Sequence, residues 1–148
     1  MERNAQRNQA NLVDSWRDLL VQETHEIELA GVNAAVVSVR LIAADGSLLT
    51  QAASRAEHLL NTLLRPTDRI GHPEPNSFVV LLSPTNELTE TVERVRLYGK
   101  SLSQHKIQAL TAFAHRRTGE ALVNTWARAE AELDRAHYRS LHEDGLCL

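Results

Sequence analysis

Arg65-Pro66-Thr67-Asp68 sets a guanidinium and a carboxylate three positions apart around a proline. Arginine offers a planar fork of donors that grips a phosphate or the edge of a guanine bidentately. An aspartate beside it can accept hydrogen bonds from the N1–H and exocyclic amine of guanine. Arg69, the next residue, adds a possible phosphate contact. The same residues have a purely structural reading. An arginine in the last turn of a helix complements the macrodipole, Pro-Thr-Asp is ordinary turn material, and the two charges can pair with each other.

Other chemistries find little support. Seven histidines are scattered at positions 25, 58, 72, 105, 115, 137 and 142 without a ligand-spaced motif. No P-loop is present, and no serine sits in a nucleophile signature. His115-Arg116-Arg117 reads as a small solvated basic loop rather than a nucleic-acid footprint. Net charge is −3 over 148 residues, which disfavours broad binding to DNA or an anionic membrane. The one cysteine, Cys147, cannot form an internal disulfide, which fits a reducing compartment. Met1 to Ala10 is polar and unlike a secretory signal, and no apolar run is long enough to span a bilayer. A cytoplasmic protein with no membrane span, no metal and no cofactor is the expectation.

The elements that must position these residues follow from periodicity. Leu12, Trp16, Leu19, Leu20 and Ile27 recur at helical spacing from about Asn11 to Ala30, with Gly31 as the stop. Ala34 to Ile42 reads as a strand, and Asp45-Gly46 as a turn. Ala52, Ala56, Leu59, Leu60 and Leu63 share the face of a second helix, which Pro66 ends. A short strand near Arg69-Ile70, a turn holding Pro73 and Pro75, and a strand over Phe78 to Leu82 form a hairpin. A helix from about Glu87 to Leu102 has Leu88, Val92 and Val95 as its expected seam. Ile107 to Ala114 reads as a strand. A last helix spans about Glu120 to Tyr138. Trp16 and Trp126 are expected in the core. The order predicts an α+β fold of ferredoxin-like type, a mixed, mainly antiparallel sheet flanked by helices.

The spacing from Arg65-x-x-Asp68 to the turn Glu74-Pro75-Asn76-Ser77-Phe78 and the apolar run after it resembles the GGDEF family, the diguanylate cyclases and their inactive relatives. Leu110 to Ala114 matches the family's last core strand, and Ala129 to Ala136 is similar to its closing Ala-Asp-x-Ala-Leu-x-x-Ala pattern. The resemblance covers most of residues 34–138. It divides the chain into an N-terminal helix (1–31) for packing or dimerisation, a degenerate GGDEF-like domain (32–140) and a polar tail (141–148). It implies that Arg65 and Asp68 belong to an inhibitory site for cyclic di-GMP. It also implies that Arg96, at the matching position on the following helix, reaches the same ligand from that helix's flank.

The departures from the family are equally specific. Its cyclases hold two Mg²⁺ ions with acids from the first strand and the signature turn. Here the strand reads Val36-Val37-Ser38-Val39-Arg40-Leu41, without an acid, and only the phenylalanine of the turn survives. Two hard cations need several oxygen ligands. The expectation is a non-enzymatic regulatory domain that binds cyclic di-GMP through Arg65, Asp68, Arg96 and Arg69 and signals to a protein partner or a homodimer. The alternative is a ligand-free interaction or dimerisation module.

Overall fold

The computed structural model describes residues 12–42, 46–85 and 87–146. Met1 to Ala10, Asp45 and Cys147 lie outside the described residues. The chain runs α1 (Leu12–Ala30), β1 (Ala35–Leu41), α2 (Gly46–Leu63), β2 (Arg69–Glu74), β3 (Ser77–Leu82), α3 (Leu88–Gln104), β4 (Ala109–His115) and α4 (Leu122–Leu146). The four strands form one sheet in the order β2-β3-β1-β4. All three pairings are antiparallel, so the expected mixed sheet is an antiparallel one. No helix among the described residues is long and apolar enough to cross a membrane.

The sheet is covered on both faces, and the strand sequences show why. β1 and β3 occupy the centre, and Val79 to Leu82 is apolar at every position because both faces are buried. Val37, Val39, Phe78, Val80 and Leu82 face α2 and α3, where Ala53, Ala56, Leu60, Tyr98 and Leu102 pack on them. Val36, Val79 and Leu81 face α1 and α4, meeting Trp16, Leu20, Ile27, Leu122 and Ala129.

Helix α1 therefore packs on the sheet. Its Trp16 lies against Gly71 of β2, where a Cβ would stand 2.4 Å from the indole Cε3. Gly71 is needed for this close approach. Gly31 has φ +67° and its N–H bonds back to Ile27 O at 2.9 Å, the helix stop expected there.

Several boundaries differ from the periodicity reading. β2 runs on to Glu74 and includes Pro73, which an edge strand with an irregular register between Gly71 and Glu74 accommodates. The seam of α3 is Thr91, Tyr98 and Leu102 with Val95 partly buried, whereas Leu88 is 60% exposed. Helix α4 continues through Leu146, into the stretch read as a tail. Trp126 is only partly buried and donates its indole N–H to Glu130 Oε1 at 2.9 Å.

The Trp16–Gly71 contact gives a direct test. Gly71→Ala should destabilise the fold by about 1–3 kcal/mol, the cost of overpacking. Urea denaturation checks it, and the loss should shrink in a Trp16→Leu background because the two sites are coupled.

Candidate functional site

Arg65 and Asp68 form a closed clasp between the end of α2 and the start of β2. The Asp68 side chain has 0% exposure. It accepts from Arg65 N (3.0 Å to Oδ2), from Arg65 Nε (3.2 Å to each oxygen) and from Arg65 Nη2 (2.9 Å to Oδ1). The guanidinium spends its remaining donors on other elements. Nη1 donates to Glu90 Oε1 of α3 at 2.9 Å, and Nη2 to Pro84 O at 3.0 Å and Thr85 Oγ1 at 3.5 Å. Hydrogen bonding to Asp68 raises the Arg65 pKa above its ordinary value. Tyr98, buried in the neighbouring core, has its phenol pushed up to about 12, by burial first and by the Asp68 charge second.

The arginine on α3 that approaches this region is Arg94, which was not among the sequence candidates. Its Nη1 donates to Leu63 O, the last residue of α2, at 2.8 Å. Arg96 does not join the clasp. Glu90 faces Arg65, and Arg96 lies about 120° further round a helix of about 3.6 residues per turn. It is exposed, in a shallow hollow with Glu93, Leu97 and Lys100. Arg69 turns to the other face of the sheet, where its Nε is 3.6 Å from Glu23 Oε1 of α1. The geometry brings Arg65 and Asp68 together and separates both from Arg96 and Arg69. The true seam of α3 was the missing signal, because Thr91 and Tyr98 point inward and so turn Glu90 and Arg94 toward the clasp.

At the opposite end of the sheet the β2–β3 turn meets the end of β1. Leu41 N donates to Asn76 O at 2.7 Å, and Arg40 is the register partner of Ser77. His72 stacks on Phe78 at a centroid distance of 4.3 Å. Arg40 reaches across to α4. Its Nη2 is 3.3 Å from Glu130 Oε2 and 2.8 Å from Asp134 Oδ1, and its Nη1 lies 3.3 Å from His137 Nδ1. Ser38, fully buried, donates to Glu130 Oε1 at 3.2 Å. The carboxylates near the end of β1 are thus engaged by a guanidinium. Among the described residues no group of three or more His, Cys, Asp or Glu is placed to hold a metal ion. The residues here do not fit a pair of Mg²⁺ ions.

No family model matches the sequence, and no curated protein is significantly similar to it. Solved structures are similar in three dimensions. The GGDEF domain of DgcB from Caulobacter crescentus, in complex with c-di-GMP, superimposes with a TM-score of 0.72 at 13% identity, over 84% of each chain. The active GGEEF domain of a diguanylate cyclase from Vibrio cholerae gives 0.70 at 9% identity, over 88% of this chain and 90% of that one. The diguanylate cyclase SiaD of Pseudomonas aeruginosa, solved with its activator SiaC, gives 0.69 at 16% identity, over 85% of this chain and 54% of SiaD. The fold is that of GGDEF domains.

On this GGDEF fold a second polar network closes the end of β4. Arg116 was read as part of a solvated loop, yet its side chain is 6% exposed and donates to Glu28 Oε1 (2.8 Å) and Glu120 O (2.7 Å). Arg128 of α4 grips both oxygens of Glu120 (2.6 and 2.9 Å) and His115 O (2.5 Å). Thr125 Oγ1 and Arg117 N also donate to Glu120. The hydrogen bond from Arg128, first among these contacts, lowers the Glu120 pKa from the ordinary 4.5 to about 2. Burial first, and the Arg128 charge second, lower the pKa of His115.

Two expectations follow. Arg65→Ala strands a buried carboxylate and should cost about 3–5 kcal/mol in urea denaturation. A cycle with Asp68→Ala should show strong non-additivity. For Glu120 the folded state binds its proton more weakly than the unfolded chain. Its stabilisation is complete above about pH 4.5 and is lost as pH falls through about 2. Glu120→Gln should flatten the stability–pH curve in that window, as read by urea midpoints.

Proposed function

We propose that this chain is a regulatory module on the GGDEF fold that works by binding a partner, without diguanylate cyclase turnover, and that Arg65–Asp68 serves it as a structural clasp. The observation that carries this reading is Arg40. A cation sits at the end of β1 beside the signature turn, held by Glu130 and Asp134 at 3.3 and 2.8 Å. In the family resemblance this is where acids hold Mg²⁺, and a fixed guanidinium there repels a cation by simple Coulomb repulsion. Glu74 and Pro75 stand where the family's turn has the glycines that let backbone approach a nucleotide, and Asn76 stands where it has an acid. The buried Asp68 supports the clasp, since a carboxylate already accepting three donors has little left for a guanine. SiaD, solved with a protein activator, is an example of a similar fold in a protein complex.

A receptor for cyclic di-GMP is the second reading, through Arg65 and Asp68 with Arg96 and Arg69 as its further ligand residues. The intact Arg-x-x-Asp spacing favours it, together with similar GGDEF domains solved with c-di-GMP. In this reading the ligand displaces Glu90 and Pro84 O from Arg65, and α3 turns to bring Arg96 in. Such a change needs two states that differ in ligand affinity.

One set of measurements separates the readings. Incubation with GTP and Mg²⁺ should yield no cyclic di-GMP by chromatography; product formation overturns the non-catalytic reading. Calorimetric titration with cyclic di-GMP should give no saturable heat. Saturable heat that strengthens in Glu90→Ala, which removes the acceptor of Arg65 Nη1, assigns the chain to the receptor reading.

A further inference from the structure

The partner contact proposed above leaves open where a partner docks, and the free edge of β4 answers that question. β4 is an outer strand, paired among the described residues only with β1. Arg116 N bonds to Ala34 O and Ile42 N to Gln108 O, so even-numbered residues of this strand spend their main-chain groups on β1. Ala109, Thr111, Phe113 and His115 therefore turn their N–H and C=O groups outward. Among the described residues only His115 O is engaged, by Arg128. An uncovered edge of this kind is a template for another strand.

The surroundings of that edge form a groove. One hollow of about 600 Å³ lies at the end of β4, between Leu88 of α3 and Ala131 of α4, with Phe113 in its wall. Another of about 680 Å³ lies at the start of β4, between Gly99 of α3 and Ser140 of α4, with Ile107 and Ala109 in its wall. Small residues on both helices, Gly99 and Ala131, leave room beside the strand.

Charge identifies the occupant. The chain carries a net −3, yet Arg117 stands in the first hollow and Lys106 in the second, one beyond each end of β4. Neither forms an ion pair among the described residues. Two-fold pairing with a second copy of β4 would set Lys106 of one chain beside Arg117 of the other, and like charges oppose it.

We propose that the β4 edge binds an extended segment of a partner protein, with carboxylates near its ends and apolar or β-branched residues between them. It would add a fifth strand through the N–H and C=O groups of Ala109, Thr111 and Phe113. Arg117 and Lys106 would take the terminal carboxylates. At about 3.3 Å per residue, the seven positions of β4 match a segment of about seven residues. The proposal rests on the binding-module reading, and it places the contact away from the Arg65–Asp68 clasp.

The test uses a fluorescein-labelled peptide, Glu-Val-Thr-Val-Thr-Val-Glu, and the full chain. Anisotropy should show saturable binding that weakens with salt. Thr111→Pro removes an outward N–H, which an edge strand tolerates, and should reduce affinity at least about tenfold with an unchanged circular dichroism spectrum. Arg117→Glu should reduce it comparably. No saturable binding, or wild-type affinity in a folded Thr111→Pro, overturns the proposal. If Thr111→Pro fails to fold, peptides N-methylated on alternate residues decide. Methylation along one edge should abolish binding and along the other should spare it, and equal binding of both overturns the proposal. A dimer in sedimentation without peptide, lost on Arg117→Glu or Thr111→Pro, also overturns it in favour of a second copy. GTP turnover measured on the same sample keeps the two failures apart. Turnover with peptide binding removes the non-catalytic reading alone, whereas neither turnover nor peptide binding removes the groove alone.

Discussion

A carboxylate sealed from water must keep its counter-charge, and Asp68 imposes that condition on the end of the sheet where β2 begins. Arg65 supplies the charge from three residues away, and in doing so its remaining donors reach Pro84, Thr85 and Glu90. The α2–β2 turn, the β3–α3 loop and helix α3 are thereby joined at one guanidinium. Thr85 extends the connection, since its N–H donates to Asn33 O ahead of β1. Lysine could not replace this arginine, because a point charge lacks the fork that serves three elements together. Residues spaced as in a ligand site here serve as an internal tie.

A similar logic governs the other end. Arg40 projects from β1 on the face that carries Val36, where α4 crosses, and a guanidinium in so confined a place requires acids. Glu130 and Asp134 are one helical turn apart on α4, and both point at it. Glu130 also accepts from Trp126 and Ser38, so its charge is shared among three donors. The fold thus sets one guanidinium against two carboxylates at each end of the sheet. Arg117 and Lys106, which form no ion pair among the described residues, stand instead beyond the two ends of its outer strand.

Much of the architecture was legible because hydrophobic spacing reports burial directly. The face of α2 from Ala52 to Leu63 and the stop at Pro66 are visible in residue type alone. The strand from Phe78 is apolar at every step because both its faces are covered. Helix α3 misled because its inward face includes Thr91 and Tyr98, which hydropathy undervalues, and because Leu88 at its start is exposed. That rotation of the seam is what moved Arg96 away from Asp68. The clasp was visible as two residues, but not as a closed object, since Pro84, Thr85 and Glu90 are distant in sequence. Pro73 ended the reading of β2 too early, since a missing donor costs nothing on the side of a strand that faces no neighbour. The pattern Trp126, Glu130, Asp134 does mark one face of α4, but no spacing rule says that Arg40 lies opposite.

The seat of Trp16 on Gly71 has a mechanical meaning. The indole is a rigid wedge, and the strand beneath it has no side chain to yield. A displacement of the first turns of α1 would therefore press directly on β2, whose first residue, Arg69, follows the clasp's Asp68. A neighbouring element joined upstream of Leu12 would hold a lever arm on that corner of the molecule, able to strain it without touching it.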